Sequence, residues 1–331
     1  MPIPNCGPPS DPVRLSGQLW GITTYFNPAG YRTKLRNLQL FSRRVRRQGL
    51  KLLVIELAFA DGEFTVNLDL ADSILQIRTG TVLWQKERLL NIGIERLPDT
   101  CDKVVWLDGD ILFSNDAWVS ETGRRLEEYR VVQPYDTAVW LPPGGERQLD
   151  SGMPAEITAA FDRLHGVAFA AVHHQSVADL AGSPARAHPG FAWAARRNIL
   201  SAHGLYDRFI VGGGDLVTTS GMYSDSTVWA GRSISRLFSS HQIVDLSRWT
   251  DAFYRDVNGS VGYVSGSVFH LWHGDFADRK YLKRYQTLKD FDFDPRADIE
   301  LDGSGCWCWS SEKPELHRQV QEYFWNRRED G

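Results

Sequence analysis

Residues 51–59 read KLLVIELAF, an almost continuous apolar run. Alternating polar and apolar residues mark a strand with one wet face. A run without alternation marks a strand covered on both faces, the habit of parallel sheets flanked by helices. This segment is therefore expected inside an α/β fold, and its surroundings agree. Residues 18–24 read as a strand, and Asn27, Pro28, Ala29 and Gly30 as the turn after it. Residues 31–48 have helical spacing, with Leu35, Leu38, Phe41 and Val45 on one face, many arginines between them, and Gly49 as the stop. A second helix is expected over 82–96, a strand at the start of 102–113, a third helix over 116–129 and a short strand at 131–133. Strands and helices alternating across short connections form βαβ units.

Residues 137–190 lose this rhythm. Order returns with a strand at 190–195, a short helix ending near Gly204, a Gly-rich turn at Gly212 to Asp215, a strand at 267–272 and a closing helix at 314–328.

The 331 residues suffice for one large α/β domain or two small ones. A hydrophobic content of 42% and a charged content of 24% are ordinary for a soluble globular chain. The net charge of −4 argues against a generally basic nucleic-acid binder. No run of 18 apolar residues occurs, and the Pro-rich start lacks an apolar signal-peptide core. The four cysteines are too scattered for a disulfide framework. These features lead to the expectation of a cytoplasmic protein with reduced thiols and no membrane span.

The segment DKVVWLDGDILF, residues 102–113, ends a buried strand with two acids one residue apart, Asp108 and Asp110. On extended backbone, residues two apart share a side. Both carboxylates can then project from the carboxyl edge of the sheet, where open α/β sheets bind ligands. Paired carboxylates repel unless a cation sits between them, and Mn²⁺ or Mg²⁺ fits an oxygen-rich site. Gly109 leaves room for a phosphate near the backbone. A plain Asp-Gly turn explains the pair equally well on its own.

Four blocks give the acid pair a setting: residues 19–47, 82–113, 188–217 and 268–274. Together they resemble the metal-dependent glycosyltransferases of GT-A fold, most closely the β-1,4-galactosyltransferase type. LWQKERLLNIGIERL, from Leu83, is similar to that family's helix before the Asp-x-Asp strand. By resemblance, Trp84 and Lys86 contact the nucleotide and its phosphates, with Lys86 where the family has Arg. Thr23, Tyr25 and Asn27 lie on the first strand and turn, where such enzymes cradle the base. GFAWAARRNILSAHGLYDRFIVGGGD, residues 190–215, resembles the family's strand, helix and Gly-Gly-Glu-Asp turn. Asp215 matches its catalytic base, while Gly214 and Val211 stand where the family has Glu and a mobile Trp. Gly213, Gly214 and Trp193 fall on the acceptor side. FHLWHGD, residues 269–275, is similar to the family's Met-x-x-His metal ligands and supplies His270 and His273. On a regular strand those two face opposite ways, so joint ligation needs a bend at Trp272 or near Gly274.

The resemblance implies a single-domain, GT-A (Rossmann-like) mixed sheet flanked by helices. The expected parts are an arm at 1–14, a nucleotide-sugar half at 15–135, an acceptor and catalytic half at 136–300 with an insertion at 137–187, and a helical tail at 301–331. The implied ligands are a nucleotide-sugar donor, expected to be a UDP-sugar, and Mn²⁺ or Mg²⁺ on Asp110, Asp108, His273 and His270. Asp108 also falls near the ribose. Hexosyl transfer to an acceptor hydroxyl, with inversion and Asp215 as base, is the implied reaction. The acceptor stays open among a glycan, lipid, protein, small metabolite or hydroxymethylated nucleic-acid base. Retaining transfer on the same fold is the alternative reaction. A sugar nucleotidyltransferase is disfavoured because the first turn, YFNPAGYR, has one glycine.

Overall fold

The computed structural model describes residues 12–149, 162–173, 187–226, 236–279 and 281–331. Strand β1 (Gln18–Phe26) leads through helix α1 (Arg32–Arg47) to β2 (Lys51–Phe59), then β3 (Ser73–Thr79), α2 (Lys86–Arg96) and β4 (Cys101–Leu107). Next come β5 (Ile111–Phe113), α3 (Trp118–Glu128), β6 (Val131–Gln133), β7 (Thr137–Trp140), β8 (Arg163–His165), α4 (Val167–His173) and β9 (Ala192–Arg196). Helix α5 (Arg197–His203), α6 (Gly214–Tyr223), α7 (Ser240–Val257), β10 (Val261–Tyr263), β11 (Ser267–His270), α8 (Tyr281–Asp290) and α9 (Pro314–Trp325) follow.

The main sheet has seven strands in the order β10-β6-β9-β4-β1-β2-β3. β1, β2, β3 and β4 run parallel, while β9 runs antiparallel between β4 and β6. The expected mixed α/β sheet flanked by helices is the architecture the chain adopts. The KLLVIELAF run is β2, covered on both faces as its composition demands: seven consecutive residues, Leu52 to Ala58, are buried. One core layer joins α2 and α5 to Ile22, Leu53, Ile55 and Trp106. The other joins α1 and α3 to Leu52, Val54, Val105 and Leu107. The pleat therefore divides each strand between two cores.

A second sheet has the order β5-β11-β7-β8. Two of its strands, β7 and β8, come from 137–187, the stretch without sequence rhythm. They are four and three residues long, too short to show a period. Insertion residues 150–161 and 174–186 lie outside the described residues, as does most of the arm at 1–14. Helix α2 begins at Lys86, four residues later than expected. The Trp84 amide donates to the Ile210 carbonyl (2.9 Å), and the Gln85 side chain pairs with the Trp307 backbone (2.7 and 3.1 Å). Those tertiary bonds replace the first helical turn. Among the described residues no helix is long and apolar enough to cross a membrane.

Candidate metal and transfer site

The two sheets meet at Asp108, Gly109 and Asp110. β4 delivers Asp108 at the carboxyl edge of the main sheet, and β5 starts the second sheet at Ile111. The β5–β11 register sets His270 opposite Ile111, one residue past Asp110. The Leu271 amide then donates to the Asp110 carbonyl (2.8 Å). The strand ends at His270, two residues short of the expected end, and that early end supplies the required bend. His273 Nε2 lies 3.0 Å from Asp110 Oδ2 and 3.1 Å from His270 Nε2. One ligand atom each from Asp110, His270 and His273 falls within 4.8 Å of the others.

Their charges suit a cation. Burial alone raises the Asp110 carboxyl, but His270, His273 and Arg279, whose Nη2 lies 3.1 Å from His273 Nε2, override it and hold it well below the ordinary carboxylate range. Burial keeps the His270 imidazole neutral, its pKa well below the usual value despite the nearby Asp110. Asp110 Oδ1 is enclosed with no hydrogen-bond partner. Such an orphan costs about 1–3 kcal/mol without a partner. A carboxylate with one orphaned oxygen and two imidazoles around one point form a donor set that fits a divalent ion.

Asp108 turns elsewhere. Its Oδ1 pairs with Lys86 Nζ at 2.6 Å, and the same ammonium lies 3.4 Å from Asp215 Oδ1. Expected as a metal ligand, Asp108 is outside the cluster that Asp110 joins. Burial pushes the Asp108 carboxyl up to about 6, with Lys86 opposing and Asp215 and Asp110 adding to the rise. Glu87 beside it is pushed up to about 7, by burial first and by Asp215 against Lys86. Burial lowers the Lys86 ammonium, but Asp108, Asp215 and Glu87 prevail and raise it well above its ordinary value. One cation thus serves three carboxylates.

Both clusters open into a cleft of about 690 Å³. Tyr25, Trp84, Lys86, Asp108, Asp110, Gly213, Asp215, His270 and His273 all line it. Trp84 packs edge-on to Phe26 (5.3 Å) and beneath the Arg327 guanidinium (5.2 Å).

Four expected site residues do other work. Thr23 is fully buried, its hydroxyl donating to the Leu107 carbonyl (2.8 Å), and its neighbour Thr24 lines the cleft instead. The Asn27 side chain closes its own turn, accepting from the Tyr31 amide (2.9 Å) and donating to the Tyr31 carbonyl (2.8 Å). Trp193, expected on the acceptor side, is a core residue. It has no exposed surface, faces Trp106 across β4 and β9, and donates to the Pro189 carbonyl (2.7 Å). Gly214 packs under Glu87, whose Oε1 lies 2.3 Å from where a Cβ would stand. Gly109 is bare for packing: a Cβ there would meet Leu38 at 3.2 Å and Thr23 at 3.5 Å.

Sequence reasoning missed a basic and aromatic wall. Arg279, Arg284 and Tyr285 line the cleft from the half expected to be acceptor-binding and catalytic, and Arg327 and Glu329 from the expected helical tail, none of them singled out in the sequence. Arg284 and Arg327 both donate to the Tyr323 hydroxyl (2.9 and 2.8 Å). His188 and Phe191 were also missed. Phe191 holds a left-handed φ of +73°, strained for a bulky side chain; its ring stacks on His270 (4.9 Å) and lies tilted against His188 (3.9 Å). The only sequence signal for this wall is the density of Arg and aromatic residues after position 270.

No protein-family model matches the chain, and no curated protein does so. Among solved structures it is similar to glucosyl-3-phosphoglycerate synthase from Mycobacterium tuberculosis, in complex with Mg²⁺ and UDP. There the identity is 11%, the coverage 86% of this chain and 83% of that one, and the TM-score 0.42. It is also similar to a Drosophila β1,4-galactosyltransferase 7 variant in complex with manganese, UDP-Gal and xylobiose. That match has 11% identity, covers 93% and 98%, and has a TM-score of 0.39. A 4-diphosphocytidyl-2C-methyl-D-erythritol synthase from Anaerococcus prevotii matches at 12% identity, 76% and 88% coverage and a TM-score of 0.34. Likeness at this level assigns neither a family nor a reaction.

Proposed function

We propose that this chain is a metal-dependent glycosyltransferase of the GT-A type, moving a hexosyl group from a UDP-sugar to an acceptor hydroxyl. One observation carries the reading: the Asp110–His270–His273 cluster and Asp215 face the same cleft, with Lys86 bridging Asp108 and Asp215. Asp110, His270 and His273 hold the metal. Two imidazoles favour Mn²⁺ over the harder Mg²⁺. When bound, the ion neutralises charge on the diphosphate leaving group.

The protein's own groups do the rest. Lys86 exchanges part of its pairing with Asp108 for the diphosphate. Trp84 and Tyr25 wall the nucleotide end, and Arg327 above Trp84 faces its phosphates. Asp215 takes the acceptor proton as general base, and attack from the opposite face of the sugar inverts the anomeric centre. Gly213, bare at φ +111°, has the Tyr285 hydroxyl where a Cβ would stand, so Tyr285 borders the acceptor side of the cleft with Asp215. Asp108 contacts the ribose or reaches the metal through water.

The test is a panel of nucleotide sugars with Mn²⁺, scored by free nucleotide release and by the anomeric configuration of the product. Release of UDP with an inverted product supports the reading. A retained configuration removes Asp215 as base, and absence of both binding and release for every donor overturns the transferase assignment.

A further inference from the structure

His273 has two ring nitrogens with different neighbours. Nε2 faces the cluster, 3.0 Å from Asp110 and 3.1 Å from His270, and the Arg279 guanidinium, which can only donate, lies 3.1 Å from it. Nδ1, on the other side of the ring, lies 3.6 Å from Glu329 Oε1. His273 Nδ1 and Glu329 Oε2 are both enclosed without a hydrogen-bond partner. A shift of a few tenths of an ångström brings Nδ1 and the carboxylate into bonding range. A neutral imidazole carries one proton, and the nitrogen that holds it is set by the partner the ring finds.

The segment after α9 is held in place for this contact. Glu329 is 1% exposed, takes a hydrogen bond from Arg327 Nε and lies 3.5 Å from Lys34 Nζ. The Thr33 hydroxyl donates to the Glu329 carbonyl (2.7 Å), and the Asp330 carboxylate accepts from the Arg32 and Thr33 amides (3.0 and 2.9 Å). The Arg328 amide donates to the Tyr31 hydroxyl (3.0 Å). On the facing side, Gly274 directly follows His273 at φ +83°. A Cβ there would stand 2.6 Å from the Arg328 carbonyl oxygen. Only a glycine lets the 328–329 backbone come this close to the ligand segment.

We propose that Glu329 is a positioning residue for the metal cluster: it accepts the Nδ1 proton of His273 and so aims the Nε2 lone pair at the ion. The proposal rests on the metal reading of Asp110, His270 and His273 given above. A carboxylate behind a ligating imidazole fixes the ring and strengthens its basicity, and losing one weakens metal affinity about 10- to 100-fold. The strap after α9 and the β1–α1 turn thereby become part of the metal site.

The experiment measures Mn²⁺ affinity of the whole chain by the EPR signal of free Mn²⁺, for the wild type, Glu329→Gln and Gly274→Ala. It also reads the His273 tautomer by ¹⁵N NMR in the metal-free protein. The expected result is a Nδ1–H tautomer in the wild type and Mn²⁺ binding weakened at least tenfold in Glu329→Gln, whose amide keeps an acceptor but lacks the charge that strengthens the imidazole. Gly274→Ala, which displaces the strap without touching the carboxylate, weakens binding in the same direction. Wild-type affinity in a folded Glu329→Gln protein, or a Nε2–H tautomer in the wild type, overturns the positioning role and leaves the metal reading standing. A wild type that takes up no Mn²⁺ removes both.

Discussion

Glu87 offers a prediction independent of any ligand. Its carboxyl is buried against Gly214 and pushed up to about 7 from 4.5, by burial first and then by Asp215, with Lys86 opposing. The folded protein therefore keeps this proton to a higher pH than the unfolded chain. The contribution of this one group to stability is greatest below about pH 4.5, falls as the unfolded carboxyl ionises, and stops falling once the folded carboxyl ionises near pH 7. Between pH 5 and pH 8 this one group is expected to cost the wild type about 2.5 kcal/mol. Glu87→Gln keeps the shape that fills the space over Gly214 and removes the ionisation. Urea unfolding of both proteins at pH 5 and pH 8 checks it. The variant should gain on the wild type by about 2 kcal/mol at pH 8 relative to pH 5. An unchanged gap between the two proteins at the two pH values would refute the reasoning.

Three further outcomes are expected. Trp193→Ala should lower unfolding free energy by about 3–5 kcal/mol, as a buried aromatic does; a stable variant with altered acceptor preference would return Trp193 to the site. Lys86→Met leaves Asp108 and Asp215 without their shared cation and should cost about 3 kcal/mol in denaturant unfolding at pH 8, far less at pH 5 where Asp108 is protonated. Asp215→Asn should slow sugar transfer at least about 100-fold, with the UDP dissociation constant measured by calorimetry unchanged within about threefold.

The parts of the fold legible in the sequence are those with a long period or a sharp stop. β2 showed itself by nine residues of nearly unbroken apolar character, and α1 by its spacing and Gly49. The second sheet was not legible because β5, β7 and β8 have three or four residues each and are specified by pairing with β11 and with one another across long stretches of chain. The site divided in the same way. Asp110, His270, His273, Lys86 and Asp215 stand at strand ends, a helix start and a Gly-rich turn, where local pattern announces a ligand edge. Arg327 and Glu329 follow a helix whose pattern announces only an amphipathic surface. Trp193 and Thr23 were misread because β4 and β9 face two buried layers, so an aromatic or hydroxyl on either face can belong to the core. The separation of Asp108 from Asp110 depends on Lys86, and no spacing rule between the two acids foretells a salt bridge from another element.

On the proposed function, Asp110 and its two histidines bind a nucleotide diphosphate through a metal. Calorimetric titration of UDP into the wild type and Asp110→Ala, each with Mn²⁺ and with EDTA, tests it most directly. Binding in the wild type with Mn²⁺ alone, lost on chelation and lost in the variant, is the predicted result. UDP binding that survives both EDTA and the loss of the Asp110 carboxylate would contradict the account.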